Sequence, residues 1–240
     1  MGPIRTVAQL ESFGRTRLSP NFFMRDFLYS EISQIEGIPN IPDDPDLAIE
    51  AGRHLCQRVL EPIQAELGKI SIRSAYRCCA VNAKGAENHN QYNCARNEAN
   101  YAGHIWDRRD ADGYMGATAC IVVNSFIPYY ERTGDWTALA WWIHDNVSTY
   151  AEMTFFPRLA AFNIRWHENP HYPKQIHTYV ANPHSGDKKR LTHPDMANFL
   201  GSHREYYQAY LAEIARAPYT QYLIAEFAPV RRFIAIGPER

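Results

Sequence analysis

Lys69-Ile70-Ser71-Ile72-Arg73-Ser74 alternates apolar and polar residues, and that period of two predicts a half-buried strand. Ala117-Thr118-Ala119-Cys120-Ile121-Val122-Val123 is a nearly continuous apolar run and predicts a strand buried on both faces. Phe155-Phe156 through Trp166 predicts a strand pair joined near Pro157. Between and around these runs the apolar spacing turns helical. Leu47, Ala51, Leu55, Val59 and Leu60 share a helix face that Asp46 is placed to cap, and Pro62 is expected to kink or end that helix. Residues 128–146 read as a second helix. A closing helix over about 195–215 carries Met196, Phe199, Leu200, Tyr207, Leu211 and Ile214 on one face. The expected fold class is α+β, a small antiparallel sheet flanked by helices.

Three stretches read as irregular. Gly37 to Pro45 is rich in turn formers, residues 78–103 form a long polar loop, and residues 169–194 are rich in Pro and His. No repeat or low-complexity linker divides the chain. The expected organisation is an arm or short first helix over 1–20, a domain over 21–194, and a C-terminal helix and tail, 195–240, packed on that same domain.

The 240 residues carry 25 Lys and Arg against 26 Asp and Glu, a net charge of −1. Such a balance supplies no field for a polyanion, so no nucleic-acid and no membrane partner is expected. The apolar runs Ala117 to Val123 and Ala138 to Ile143 are too short to span a bilayer. No secretory signal is visible at the start, which points to the cytoplasm, although Gly2 and Thr6 fit the loose pattern for myristoylation. Cys56, Cys78, Cys79, Cys94 and Cys120 are an odd count without the spacing of a disulfide framework, and are expected as free thiols able to bind metal.

Of the ten histidines, most have structural explanations. His54 and His203 lie on helical faces. His171, His177, His184 and His193 lie in the Pro-rich loop, and His144 falls near a helix C-terminus. His104 and His167 differ because of their neighbours. His104 ends the long loop, Cys120 lies within the buried strand, and His167 closes the strand Ala161 to Trp166. Two imidazoles and a thiolate from three elements are the donor set of a tetrahedral catalytic zinc site with water in the fourth position. Cys78, Cys79, His89 and Cys94, a second donor cluster, share one long loop and could hold a structural zinc, at a spacing that matches no familiar finger, or Cys94 could pair with Cys79 under oxidation.

Over about its first third the chain resembles the M15-type zinc peptidases, the D-alanyl-D-alanine carboxypeptidase-like group that shares a fold with hedgehog domains. The matching pieces run in order. They are Asn21-Phe22 with Phe27 and Ser30, Gly37-Ile38-Pro39-Asn40-Ile41-Pro42, Val59-Leu60-Glu61-Pro62, Ile70 to Arg77 with its Ser74-Ala75-Tyr76-Arg77, and Asn82 with Gly85-Ala86. The resemblance implies that residues 21–194 are the peptidase-like domain, and that the sheet carries a Zn2+ site.

In that family the first ligand is a histidine, the second the Asp of a Gly-x-Ala-x-Asp strand, and the third a later histidine. His104 fits the first and His167 the third. Gly116-Ala117-Thr118-Ala119-Cys120 is similar to the strand motif, with Cys120 where the family has aspartate. An insertion, Arg108 to Met115, brings Asp110 and Asp112 as alternative oxygen ligands. Arg77 matches the family arginine that holds the substrate's carboxylate or carbonyl, a task suited to a planar guanidinium. The family base, an acidic residue shortly before the last histidine, has no match. Glu168 should point away from the metal by strand alternation, which leaves Glu152 on the partner strand as the candidate base.

The implied activity is zinc-dependent hydrolysis of cell-wall-type peptides, at D-amino-acid or cross-link bonds, with a peptide or peptidoglycan substrate. The alternative is an inactive structural or binding module of the same build, in a phage particle or a cell-wall assembly. Either brings a second localisation, on a virion or released to the cell wall.

Overall fold

β1 (Ile70–Ser74) and β2 (Gly116–Val123) pair antiparallel, with Ile70 opposite Val123 and Ile72 opposite Ile121. A bulge at Arg73 then sets Ser74 opposite Cys120. β4 (Phe162–His167) lies on the other side of β2, and β3 (Glu152–Phe155) is hairpinned to β4, both antiparallel. β5 (Gln175–Thr178) adds to β3, and the order is β1-β2-β4-β3-β5. The computed structural model describes residues 2–87 and 92–216. Within them the fold is α+β, as expected, but the sheet is mixed rather than antiparallel, because β5 runs parallel to β3. The Pro and His content of 169–194 hid that strand, whose only buried residue is Ile176. Leu191 and Thr192 hydrogen-bond to Ile176 on its outer side.

Alternation assigns the two faces of the sheet. Ala117, Ala119, Ile121, Val123, Phe162, Ile164 and Trp166 belong to the main core, beneath helices. Thr118, Cys120, Asn163, Arg165, His167, Glu152 and Thr154 alternate with that set and occupy the opposite face.

The helical layer is led by α3 (Pro45–Leu55) and α4 (Glu61–Leu67), joined without a break by a wide turn over Cys56–Leu60. Pro62 therefore does not end the helix. The missing N–H and the ring are absorbed by the wide turn, in which the Glu61 N–H reaches Cys56 O, and the Arg58 carbonyl accepts instead from the Thr149 hydroxyl. The cap is Asp44, whose Oδ1 accepts from Leu47 N at 3.1 Å, with Pro45 opening the helix; Asp46 sits two positions later, inside the first turn.

Glu61 ties the N-terminal segment to this layer. Its carboxylate accepts from Ser19 Oγ at 2.6 Å, Asn21 N at 2.8 Å and Asn21 Nδ2 at 2.7 Å. The first residues form α1 (Val7–Gly14), closed by a reciprocal cap between Thr6 and Gln9. Phe13 and Leu18 are buried in the shared core.

Other boundaries shift for local reasons. The span 128–146 is two helices, α7 (Ile127–Thr133) and α8 (Thr137–Asn146). Gly134 stops the first in a left-handed conformation, and Asp135 Oδ1 accepts from Thr137 N at 2.9 Å to start the second. The long loop contains α5 (Cys79–Gly85) and α6 (Asn97–Asn100) after the short α2 (Glu31–Glu36). The last helix, α9 (Arg204–Arg216), begins later than about 195, since 195–203 is a series of turns. The expected tail beyond 216 lies outside the described residues. Among those residues no helix is long and apolar enough to cross a membrane.

Candidate functional site

Residues 99–104 close over the polar face of the sheet. Thr118 N donates to Gly103 O at 2.9 Å, and Arg77 N donates to His104 O at 2.9 Å, so the segment is stitched to β2 and to the end of β1. Gly116 makes the close approach feasible. A Cβ there would stand 2.1 Å from Ala102 O. The closure leaves a cavity of about 160 Å³ between this segment and strands β2, β4 and β3. His104, Arg165 and Glu152 supply its ionisable walls; Asn100, Asn163, Thr118 and Thr154 supply amides and hydroxyls.

His104 is fixed in one tautomer. Nδ1 is 2.7 Å from the Ala75 carbonyl oxygen, which only accepts, so Nδ1 carries the hydrogen and Nε2 the lone pair. Burial, reinforced by the charge of Arg77 nearby, drives the pKa of this ring well below the ordinary histidine value. The imidazole is neutral. Arg165 donates from Nε to Ala102 O at 3.0 Å and from Nη1 to the Tyr172 hydroxyl at 3.0 Å. Its guanidinium lies 5.0 Å over the Tyr172 ring. Glu152 is directly opposite Arg165 in the β3–β4 register. Burial raises the pKa of Tyr172 against the opposing charge of Arg165, with Glu152 adding to the rise.

The expected zinc ligands do not meet. Cys120 pairs with Asn163 in the register of β2 and β4, whereas His167 pairs with Gly116, four positions away. Four positions along a strand are about 13 Å, several times a zinc–ligand bond. An ion held by Cys120 would find Asn163, an amide, across from it. Cys120 instead packs with Val122 and Ala161, and burial raises its thiol pKa to about 11 against the lowering charges of Arg73 and Arg77.

His167 has both nitrogens engaged. Nδ1 accepts from Asn169 N at 3.2 Å, which puts the hydrogen on Nε2, 2.9 Å from Asp110 Oδ2. The alternative ligand Asp110 is thus bonded directly to His167, while Asp112 N donates to Asp110 Oδ1 at 3.0 Å. Glu168 points elsewhere, accepting from Met115 N at 2.7 Å and Arg109 Nη1 at 3.1 Å. Among the described residues no three His, Cys, Asp or Glu side chains are grouped to hold an ion. The donor set of His104, Cys120 and His167 does not fit a single Zn2+.

The other expected residues divide. Glu152 does share the cavity with His104. Arg77 lies behind it, beside His104 through the backbone, with Nη1 meeting Cys94 Sγ at 2.6 Å and Nε buried without a partner among the described residues. All five cysteines are free thiols. Of the second donor cluster, Cys78 Sγ is engaged with Pro39 O at 3.4 Å, and His89 lies outside the described residues.

Arg165, Asn163, Thr118 and Thr154 were not singled out from sequence. A signal existed: in Phe162-Asn163-Ile164-Arg165-Trp166-His167 the inward residues are strictly alternate, so Asn163 and Arg165 had to share the face of His167. Comparison of the chain with protein-family models, with curated proteins and with solved structures finds no match.

Proposed function

We propose that this chain is a binding module of peptidase-like build, whose cavity takes the carboxylate-bearing end of a small cell-wall-type peptide. The observation that carries the reading is the pairing of Arg165 with His104 in one small polar cavity. Arg165 has two of its nitrogens committed to Ala102 and Tyr172, and its Nη2 makes no hydrogen bond within the described chain. A guanidinium oriented in this way favours a carboxylate. The neutral His104 offers Nε2 as an acceptor to an N–H of the same ligand. Glu152 supplies a negative wall for an amino group. A cell-wall assembly or a phage particle is the setting in which such a module would serve.

The second reading is the hydrolase, favoured by Glu152 and His104 facing one cavity, an arrangement in which a carboxylate and an imidazole can move protons. One experiment addresses both. Isotope-labelled protein is titrated with D-alanyl-D-alanine and with purified muropeptides, and the mixtures are then analysed by mass spectrometry. The binding reading expects saturable shifts at Arg165 and Glu152, abolished by Arg165→Met, with the peptides recovered intact. Cleaved peptides would give the second reading. No shift with any of these probes would overturn both.

A further inference from the structure

Arg165 and Glu152 are directly opposed in the β3–β4 register, and both line the cavity. Side chains opposed in this way start only about 5 Å apart at Cβ, so a positive and a negative group enter the cavity side by side. They also share a neighbour. The Tyr172 hydroxyl accepts from Arg165 Nη1 at 3.0 Å, and Glu152 acts on the same hydroxyl through a hydrogen bond and its charge. Yet among the described residues no ion pair joins Arg165 to Glu152. Each keeps bonding capacity to spare, Nη2 on the guanidinium and lone pairs on the carboxylate.

The cavity limits what can lie between them. A space of about 150 Å³ is enough for benzene, with its six heavy atoms, and the cavity here is about 160 Å³. Glycine and alanine are of that size, whereas a dipeptide is roughly twice as large. Ala99 is the only wholly apolar side chain among the described residues that line the space, so an apolar side chain on a ligand finds little to bury against. Thr118, Thr154 and Asn163 offer hydroxyls and an amide instead.

We propose that the ligand is a single free α-amino acid with a small side chain, bound whole as a zwitterion. The proposal rests on the reading above that Arg165 takes a carboxylate, and it narrows the ligand from the end of a peptide to one residue. In an α-amino acid the carboxylate and the ammonium flank one carbon, a spacing that suits opposite charges on facing strands. The carboxylate meets Nη2 of Arg165. The ammonium has three N–H donors, and two acceptors line the cavity for them: the Glu152 carboxylate, and Nε2 of His104, whose Nδ1 is held by Ala75 O. The nitrogen of a peptide's last residue is acylated. It carries one donor and no charge, so it leaves one acceptor unmet and Glu152 without a counter-charge. Glu152 is therefore the residue that distinguishes a free amino acid from a peptide end.

Calorimetric titration of the full chain, with spectra of the isotope-labelled protein, tests this. The probes are glycine, D- and L-alanine, N-acetylglycine, glycinamide and D-alanyl-D-alanine. Glycine or alanine should bind saturably and shift Arg165 and Glu152, and N-acetylglycine and D-alanyl-D-alanine should bind about tenfold more weakly or worse. Glu152→Gln should weaken glycine by about tenfold or more and erase its advantage over N-acetylglycine. Glycine bound no better than N-acetylglycine or D-alanyl-D-alanine, or bound equally well by Glu152→Gln, overturns the free amino acid and leaves the peptide-end reading standing. Glycinamide bound as tightly as glycine removes the carboxylate contact, and overturns both this proposal and the reading it rests on. Silence from every probe does the same. Should Glu152→Gln fail to fold, the ranking of the probes on the wild-type protein decides alone.

Discussion

Nδ1 of His104 stands 2.7 Å from the carbonyl oxygen of Ala75, and this one contact sets the chemistry of the cavity. It ties the end of β1 to the segment that roofs the sheet, and it leaves a bare lone pair on the cavity side. A ring in this position resists protonation in the folded state and not in the unfolded one. His54, His144 and His167 are shifted the same way, each chiefly by burial.

The first prediction follows from that asymmetry. A lowered folded-state pKa means that the unfolded chain takes up protons first as pH falls. Stability is therefore complete above about pH 6.5, the unfolded value, and declines below it, by up to about 1.4 kcal/mol per pH unit for the fully buried His104, with solvent screening reducing the share of the three more exposed rings. Urea denaturation from about pH 7.5 down to about pH 5 should show a falling midpoint. His104→Gln, whose amide can still donate to Ala75 O, should show a shallower fall; an identical slope would contradict the assignment of a neutral ring.

Glu61→Ala should loosen the N-terminal segment. Three donors from Ser19 and Asn21 converge on that carboxylate, and their loss is expected to cost about 2 kcal/mol or more. Chemical denaturation gives the size, and protease nicking within 1–20 should rise in parallel.

Gly116→Ala is expected to be far worse than its size suggests. The added carbon would meet backbone, not a movable side chain, at Ala102 O. The roof segment would have to lift from β2, lowering the thermal midpoint and opening the cavity. A variant with wild-type stability would mean that the segment closes less tightly than the geometry states.

Cys120 should behave as a packed thiol and not as a ligand. With a pKa of about 11 and little exposure, it should react with iodoacetamide at pH 8 much more slowly than Cys94. Cys120→Ala should leave the zinc content of the purified protein unchanged and cost about 1 kcal/mol in stability. Zinc lost with that substitution would restore the three-ligand site.

The sheet's first strands were legible because Ile70 and Ile72 alternate with polar residues and because 117–123 has little else but apolar side chains. β5 was not, since it owes its place to pairing with β3 and to the single buried side chain of Ile176. Helix periodicity survived Pro62 only through a wide turn and a hydroxyl from Thr149, a distant residue that no local pattern announces. The site divides in the same way. Glu152 and His104 were found, because loop and strand placement aimed them at one face. Cys120 and His167 were joined by residue type, strand placement and a family resemblance, and none of these carries register. The offset of four positions between β2 and β4 is fixed by the turns and bulges of the whole sheet.

The outer side of β5 has one more consequence. Ile176 donates to Thr192 O at 3.1 Å and accepts from Leu191 N at 2.8 Å, so the rim of the sheet ends against its own chain. A foreign strand seeking unpaired amides on that border finds those of Ile176 taken. Self-assembly into fibrils by lengthening the sheet from this end is thereby discouraged, at the modest expense of a short stretch of extended backbone.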